Sequence, residues 1–250
     1  MHRSLATLFL AVLTVSFALG AQPDILLVDD GNKDRLEGFY GPLCLEAART
    51  YQVWTVSESQ AVPATGIDAF RTVVWLTGGN PNPAGIEGGD ENLLRYVKTG
   101  GRLVLIGDHV GGVCRKTLAE VFGLEFRRHN TLIERTGGRL PDAVSQGLAL
   151  HLAIPGCDTA RYLKRRPGRD QARAETVFFA NDRGESNLTA ARIESLETPR
   201  YRAAWFGFEL QHVKDLTKAA QVFTRTVRWV TPEPPPKAPV QQFPKLWKGR

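Results

Sequence analysis

The chain has 250 residues, 42% of them hydrophobic, and a formal net charge of +6. Beyond its first twenty residues it is long enough for one large α/β domain with a well-buried core, and no interior linker divides it. The charge invites a nucleic-acid reading, but Arg3 and the C-terminal Lys237, Lys245, Lys248 and Arg250, set against Glu233, hold most of it, leaving roughly +2 on the folded part and arguing against that class.

Residues 1–20 read as a secretory signal: a basic Arg3, an apolar run from Leu5 to Leu19, and small residues Ala18 and Gly20 placed for cleavage before Ala21. The run is short for a membrane anchor and no basic stop-transfer patch follows it. No later segment approaches about 18 uninterrupted apolar residues. The expected location is therefore secreted or periplasmic, with one domain over residues 22–230.

Within that domain strands alternate with helices. DILLVDDG (Asp24 to Gly31) is a continuous apolar run ended by acids and glycine, as in a strand covered on both faces. GPLCLEAARTY predicts a helix with Pro42 in its first turn. Gln52 to Val56 and Thr72 to Gly79 are the next strands. DENLLRYVK is a helix with Asp90 placed to cap its start and Gly100-Gly101 to close it. Arg102 to Gly107 is the fourth strand, and TLAEVFGLEF holds a short helix stopped at Gly123.

The stretch from Arg127 to Arg173 gives weaker signals. Leu148, Leu150 and Leu152 alternate as in a one-faced strand. RYLKRRPGRDQAR, with Arg161, Lys164, Arg165, Arg166, Arg169 and Arg173, is a basic loop that lacks interleaved aromatics beyond Tyr162 and suits a solvated or anion-attracting surface. Val177 to Asn181 and Tyr201 to Leu210 are later strands. The last helix, Asp215 to Val230, places Leu216, Ala219, Ala220, Phe223, Val227 and Val230 on one face. Residues 231–250 are Pro-rich and basic, suited to an extended or disordered tail. The pattern as a whole implies an α/β fold: a three-layer, doubly wound, mostly parallel sheet with helices on both faces.

Three cysteines, Cys44, Cys114 and Cys157, would meet an oxidising compartment after export, where one disulfide and one leftover thiol is the simplest count. Their spacing matches no zinc pattern, and His129, His151 and His212 stand apart from one another in the chain, so no metal ligands and no cofactor are assigned.

In such sheets ligands sit beyond the carboxyl ends of the strands. Those ends carry Asp29-Asp30, Gly78-Gly79-Asn80, Asp108-His109, Asn181-Asp182 and Glu209. Asp29, Asp30, Gly78, Gly79 and Asn80 are candidate ligand contacts, although acids and glycines there also serve as caps and turns. Asp108, His109 and Glu209 are the candidate catalytic set, an imidazole with carboxylates.

The order of these phrases (ILLVDDG, TVVWLTGG, LLRYVKTGGRLVLIGDHVG, SQGLAL, AAWFGFEL, then a closing helix) resembles the class I glutamine amidotransferase-like superfamily, and more closely its divergent secreted bacterial branch. The resemblance covers roughly Asp24 to Val230 and implies a flavodoxin-like fold. Active members of that superfamily carry Gly-x-Cys-x-Gly at a nucleophile elbow and a later His-Pro-Glu. The first phrase falls on Gly107-Asp108-His109-Val110-Gly111, so His109 takes the nucleophile's place. The second falls near Phe208-Glu209-Leu210-Gln211, so Glu209 takes the place of the base and Gln211 that of its orienting acid.

Glutamine hydrolysis needs a thiolate activated by an imidazole. Without them the resemblance implies an exported module without amidotransferase activity, binding a polar ligand or an extracellular protein. A hydrolase using Asp108, His109 and Glu209 as acid/base groups or as metal ligands is the alternative.

Overall fold

The computed structural model describes residues 23–31, 35–56, 61–80, 85–163, 172–180, 187–195 and 198–232. Four strands, β1 (Ile25–Asp29), β2 (Tyr51–Thr55), β3 (Thr72–Leu76) and β4 (Arg102–Ile106), lie parallel in the order β2-β1-β3-β4. The chain then lays down β5 (Leu124–Asn130), β6 (Arg135–Gly138), β7 (Ala149–His151), β8 (Cys157–Tyr162), β9 (Ala172–Ala180) and β10 (Leu188–Ser195) in antiparallel pairings. Finally β11 (Arg202–Phe206) returns beside β4, parallel to it. The continuous path is β2-β1-β3-β4-β11-β10-β9-β6-β7, with β8 joined to β10 and β5 to β8. Its parallel half has the flavodoxin-like order 2-1-3-4-5, β11 serving as the fifth strand.

All five residues of β1 and of β3 are buried, which is why their sequences are unbroken apolar runs. Helices α1 (Glu37–Glu46) and α6 (Leu216–Val230) cover one face, where Tyr40, Leu43 and Cys44 join Val222, Phe223 and Val227 in one apolar cluster. Helices α2 (Ala64–Ile67), α3 (Gly89–Lys98) and α5 (Arg115–Glu120) cover the other with Ile67, Leu93, Val97 and Leu118, and the short α4 (Val110–Val113) follows β4 directly. Each fully buried Val, Leu or Phe contributes about 1.5–3 kcal/mol, so the two clusters hold the three layers together. Among the described residues no helix is long and apolar enough to cross a membrane.

Several local expectations change. Helix α1 starts four residues before Gly41, so Pro42 sits inside it, with Gly38 at the i−4 position that a proline ring crowds. Leu216 is 52% exposed because α6 begins there, and Thr224 and Thr226 are buried on the helix instead. Asp90 does not cap its own helix. Its carboxylate accepts from the backbone N–H of Lys116 at 2.6 Å and of Thr117 at 2.9 Å, capping α5 from a neighbouring helix.

The expected disulfide is replaced by three free thiols, all buried. Cys44 and Cys157 lie in one apolar cluster and Cys114 in the other. Of the basic loop, Arg161 pairs with Glu125 at 2.7 Å, while Lys164 to Arg169 lie outside the described residues. So do the signal segment 1–20, Asn181-Asp182 and residues 233–250.

Candidate functional site

The parallel half of the sheet ends in a sharp turn from β4 into α4, and His109 stands at its apex with φ 68°. A non-glycine residue in the left-handed region is uncommon and costs on the order of 1–3 kcal/mol; Ala48 and Gln146 are the others among the described residues. The glycines around it are required by space. A Cβ on Gly107, whose φ is +138°, would lie 2.1 Å from Thr77 Oγ1, and one on Gly111 would lie 2.9 Å from Asp158 Oδ2. This strand-to-helix elbow is the geometry that presents a nucleophile in related architectures. Here it presents an imidazole.

The antiparallel pair β5 and β8 supplies the partners of that imidazole. In its register His129 stands directly opposite Asp158, so both side chains emerge on one face as neighbours. His129 Nδ1 is 3.2 Å from Asp158 Oδ1, and Asp158 Oδ2 accepts from the Gly111 backbone N–H at 2.7 Å. The fully buried carboxylate is thereby satisfied from two sides. The His109 ring stacks on His129, 4.2 Å between centroids and 28° between planes. His109, His129 and Asp158 each offer a ligand atom, all within 4.8 Å of one another. His129 also lines a cavity of about 430 Å³ together with Arg128, Asn130 and Asn187.

Charge differs sharply between neighbours. Burial is the main reason that the Asp108 carboxyl is pushed up to about 7; the adjacent Asp158 pushes the same way and His129 opposes both. Burial, reinforced by His129, lowers the His109 pKa and favours the neutral ring. The hydrogen bond to Asp158 raises that of His129 and favours the charged ring. One imidazole thus tends to keep a free ring lone pair, while its stacked partner is held by its hydrogen bond to Asp158.

The sequence candidates separate. Asp108 and His109 are consecutive, yet they face different histidines: Asp108 Oδ2 is 4.0 Å from His212 Nδ1, and His109 stacks on His129. Glu209 is wholly buried and takes the Tyr40 hydroxyl as a hydrogen-bond donor, so its carboxylate turns into the core rather than toward His109. His212, the residue immediately after the expected phrase, is the group that stands beside Asp108 instead.

Asp29 accepts from the backbone N–H of Gly31 at 3.1 Å and of Glu37 at 3.2 Å, holding the start of α1. Asp30 accepts from Trp75 Nε1 at 3.1 Å and from the Gly85 N–H at 2.6 Å, and its carbonyl takes Asn80 Nδ2 at 3.0 Å. Gly78 is buried and its carbonyl accepts from the Asp108 N–H at 3.1 Å, whereas Gly79 is exposed. These contacts tie the turns after β1 and β3 to each other.

His129 and Asp158 carry no local signature. They lie 29 residues apart in the stretch with the weakest periodicity, and a register shift between Phe126 and Arg128 breaks the alternation that would otherwise assign His129 to a face.

No protein-family model and no curated protein matches the chain. Solved structures do. The mmIFT52 N-terminal domain is similar at TM-score 0.56 and 16% identity, over 83% of this chain and 97% of that one. A glutamine amido transferase from Methylobacillus flagellatus is similar at TM-score 0.51 and 13% identity, over 83% of this chain and 95% of that one. At these identities the likeness concerns the fold alone, which is α/β, glutamine amidotransferase-like and flavodoxin-like.

Proposed function

We propose that this chain is an exported glutamine amidotransferase-like domain without amidotransferase activity, which recognises a polar ligand or a protein partner at the rim around His109. The observation that carries the reading is the imidazole at the elbow. Acyl transfer from glutamine requires a nucleophilic sulfur there, activated by a base. The three thiols are buried, and burial pushes Cys114 far above its ordinary range, so none substitutes for the missing nucleophile. Export rests on the signal-like residues 1–20.

A hydrolase reading is favoured by one observation, a carboxyl raised to about 7 beside a hydrogen-bonded His129–Asp158 pair. Its carboxylates would be Asp108 and Asp158, since Glu209 faces Tyr40.

The test is an ammonia-release assay on purified mature protein, run with a thermal-shift screen of polar ligands and a panel of hydrolase substrates. The recognition reading expects no ammonia from glutamine, no turnover, and ligand shifts that vanish in His109→Ala. Glutamine hydrolysis above that variant's level would overturn it. Turnover of another substrate that is lost in His129→Ala would move the assignment to the hydrolase.

A further inference from the structure

The geometry points to a divalent transition-metal site formed by His109, His129 and Asp158, an inference that rests on the recognition reading of the same rim and names what it holds. The three ligand atoms lie within 4.8 Å of one another. His129 Nδ1 and Asp158 Oδ1 are 3.2 Å apart, close to the ~3.3 Å edge of a tetrahedron built on metal–ligand bonds of about 2.0 Å. The stacked His109 ring brings a second imidazole to the same place.

The donor set selects the ion. Two imidazoles and one carboxylate suit zinc, cobalt or nickel, whereas magnesium and calcium take oxygen ligands. Asp158 is already oriented by the Gly111 N–H on its second oxygen, the kind of outer partner that fixes metal-bound carboxylates.

Asp158 is buried while His109 and His129 are part-exposed, so three protein ligands would leave a coordination position open toward solvent. On binding, the ion takes the Nδ1 lone pair of His129, and any proton held there is released to solvent. The open position would then take water or an oxygen of the recognised ligand.

The experiment is a cobalt(II) titration of the metal-stripped full chain, followed by its visible d–d absorption and by zinc displacement. One equivalent per chain is expected, with no competition from magnesium. His109→Ala and His129→Ala should each weaken binding at least about tenfold, and His151→Ala, on the exposed edge strand β7, should not change it. Equilibrium dialysis of the wild-type chain with zinc decides the matter even where a variant does not fold. Fewer than a tenth of an equivalent bound, or undiminished affinity in folded His109→Ala and His129→Ala, would overturn the site. Glutaminase activity would sink the underlying reading and leave the cobalt result standing, so the two failures are distinguishable.

Discussion

The hydroxyl of Tyr40 donates to the carboxylate of Glu209 in the core and accepts from the Leu210 backbone N–H at 3.2 Å. Both side chains are fully buried, so this contact ties α1 to the segment after β11 and withdraws Glu209 from the rim. Tyr40→Phe removes a donor from a buried carboxylate and an acceptor from a buried amide, and it should lower stability by about 1–3 kcal/mol. Adding Glu209→Gln should recover part of the loss, because the variant no longer buries an acid lacking that donor. Urea midpoints of the single and double variants check this; a Tyr40→Phe midpoint equal to wild type would contradict the structural role.

Much of the fold was legible because burial leaves an unambiguous mark. Strands β1, β3 and β4 read as strands because both of their faces are covered, and α6 because Phe223, Val227 and Val230 recur at helical spacing on a face that packs. The elbow was legible through the spacing of Gly107 and Gly111 about His109. The partners of His109 were not, since His129 and Asp158 meet only through the register of β5 and β8, and that register contains an irregularity with no sequence mark. Asp90 shows the same limit in small: its position in the first turn of α3 suggested a cap, and which helix it caps depends on packing.

Asp29 makes stability depend on pH. Burial, then a hydrogen bond with the Glu37 side chain, raises its carboxyl from 3.8 to about 6. A carboxyl whose folded pKa is raised favours the folded state when protonated. Its contribution is therefore complete below about pH 4 and is lost as pH rises through 6. The full shift corresponds to about 3 kcal/mol, part of which is offset because the same hydrogen bond lowers Glu37. Asp29→Asn should therefore gain stability relative to wild type between pH 4 and 7. Paired denaturant curves across that range measure it, and a constant difference between the two proteins would remove the effect.

The cysteines should be silent in the folded protein. All three are free and buried, and burial pushes Cys44 up to about 12. A thiol reagent at pH 8 should leave the native chain unmodified and label three sites after denaturation. Intact mass should not change on reduction. Labelling of a single site in denaturant without reductant, with a mass two units lower, would establish the disulfide instead.

The strain at His109 can be separated from its chemistry. Its φ of 68° is reached freely by glycine and at a cost by any residue with a Cβ. His109→Gly and His109→Ala remove the same imidazole, so they differ chiefly in whether the elbow remains strained. The glycine variant should be about 1 kcal/mol more stable than the alanine variant, and both should lose whatever the rim binds. If the glycine variant also matches or exceeds wild type, then the histidine is retained at the turn against a stability gradient, which is the behaviour expected of a functional residue. Thermal and denaturant unfolding of the three proteins checks this directly. Equal stability of the glycine and alanine variants would mean that the elbow relaxes on substitution, and the argument from strain to function would fail there.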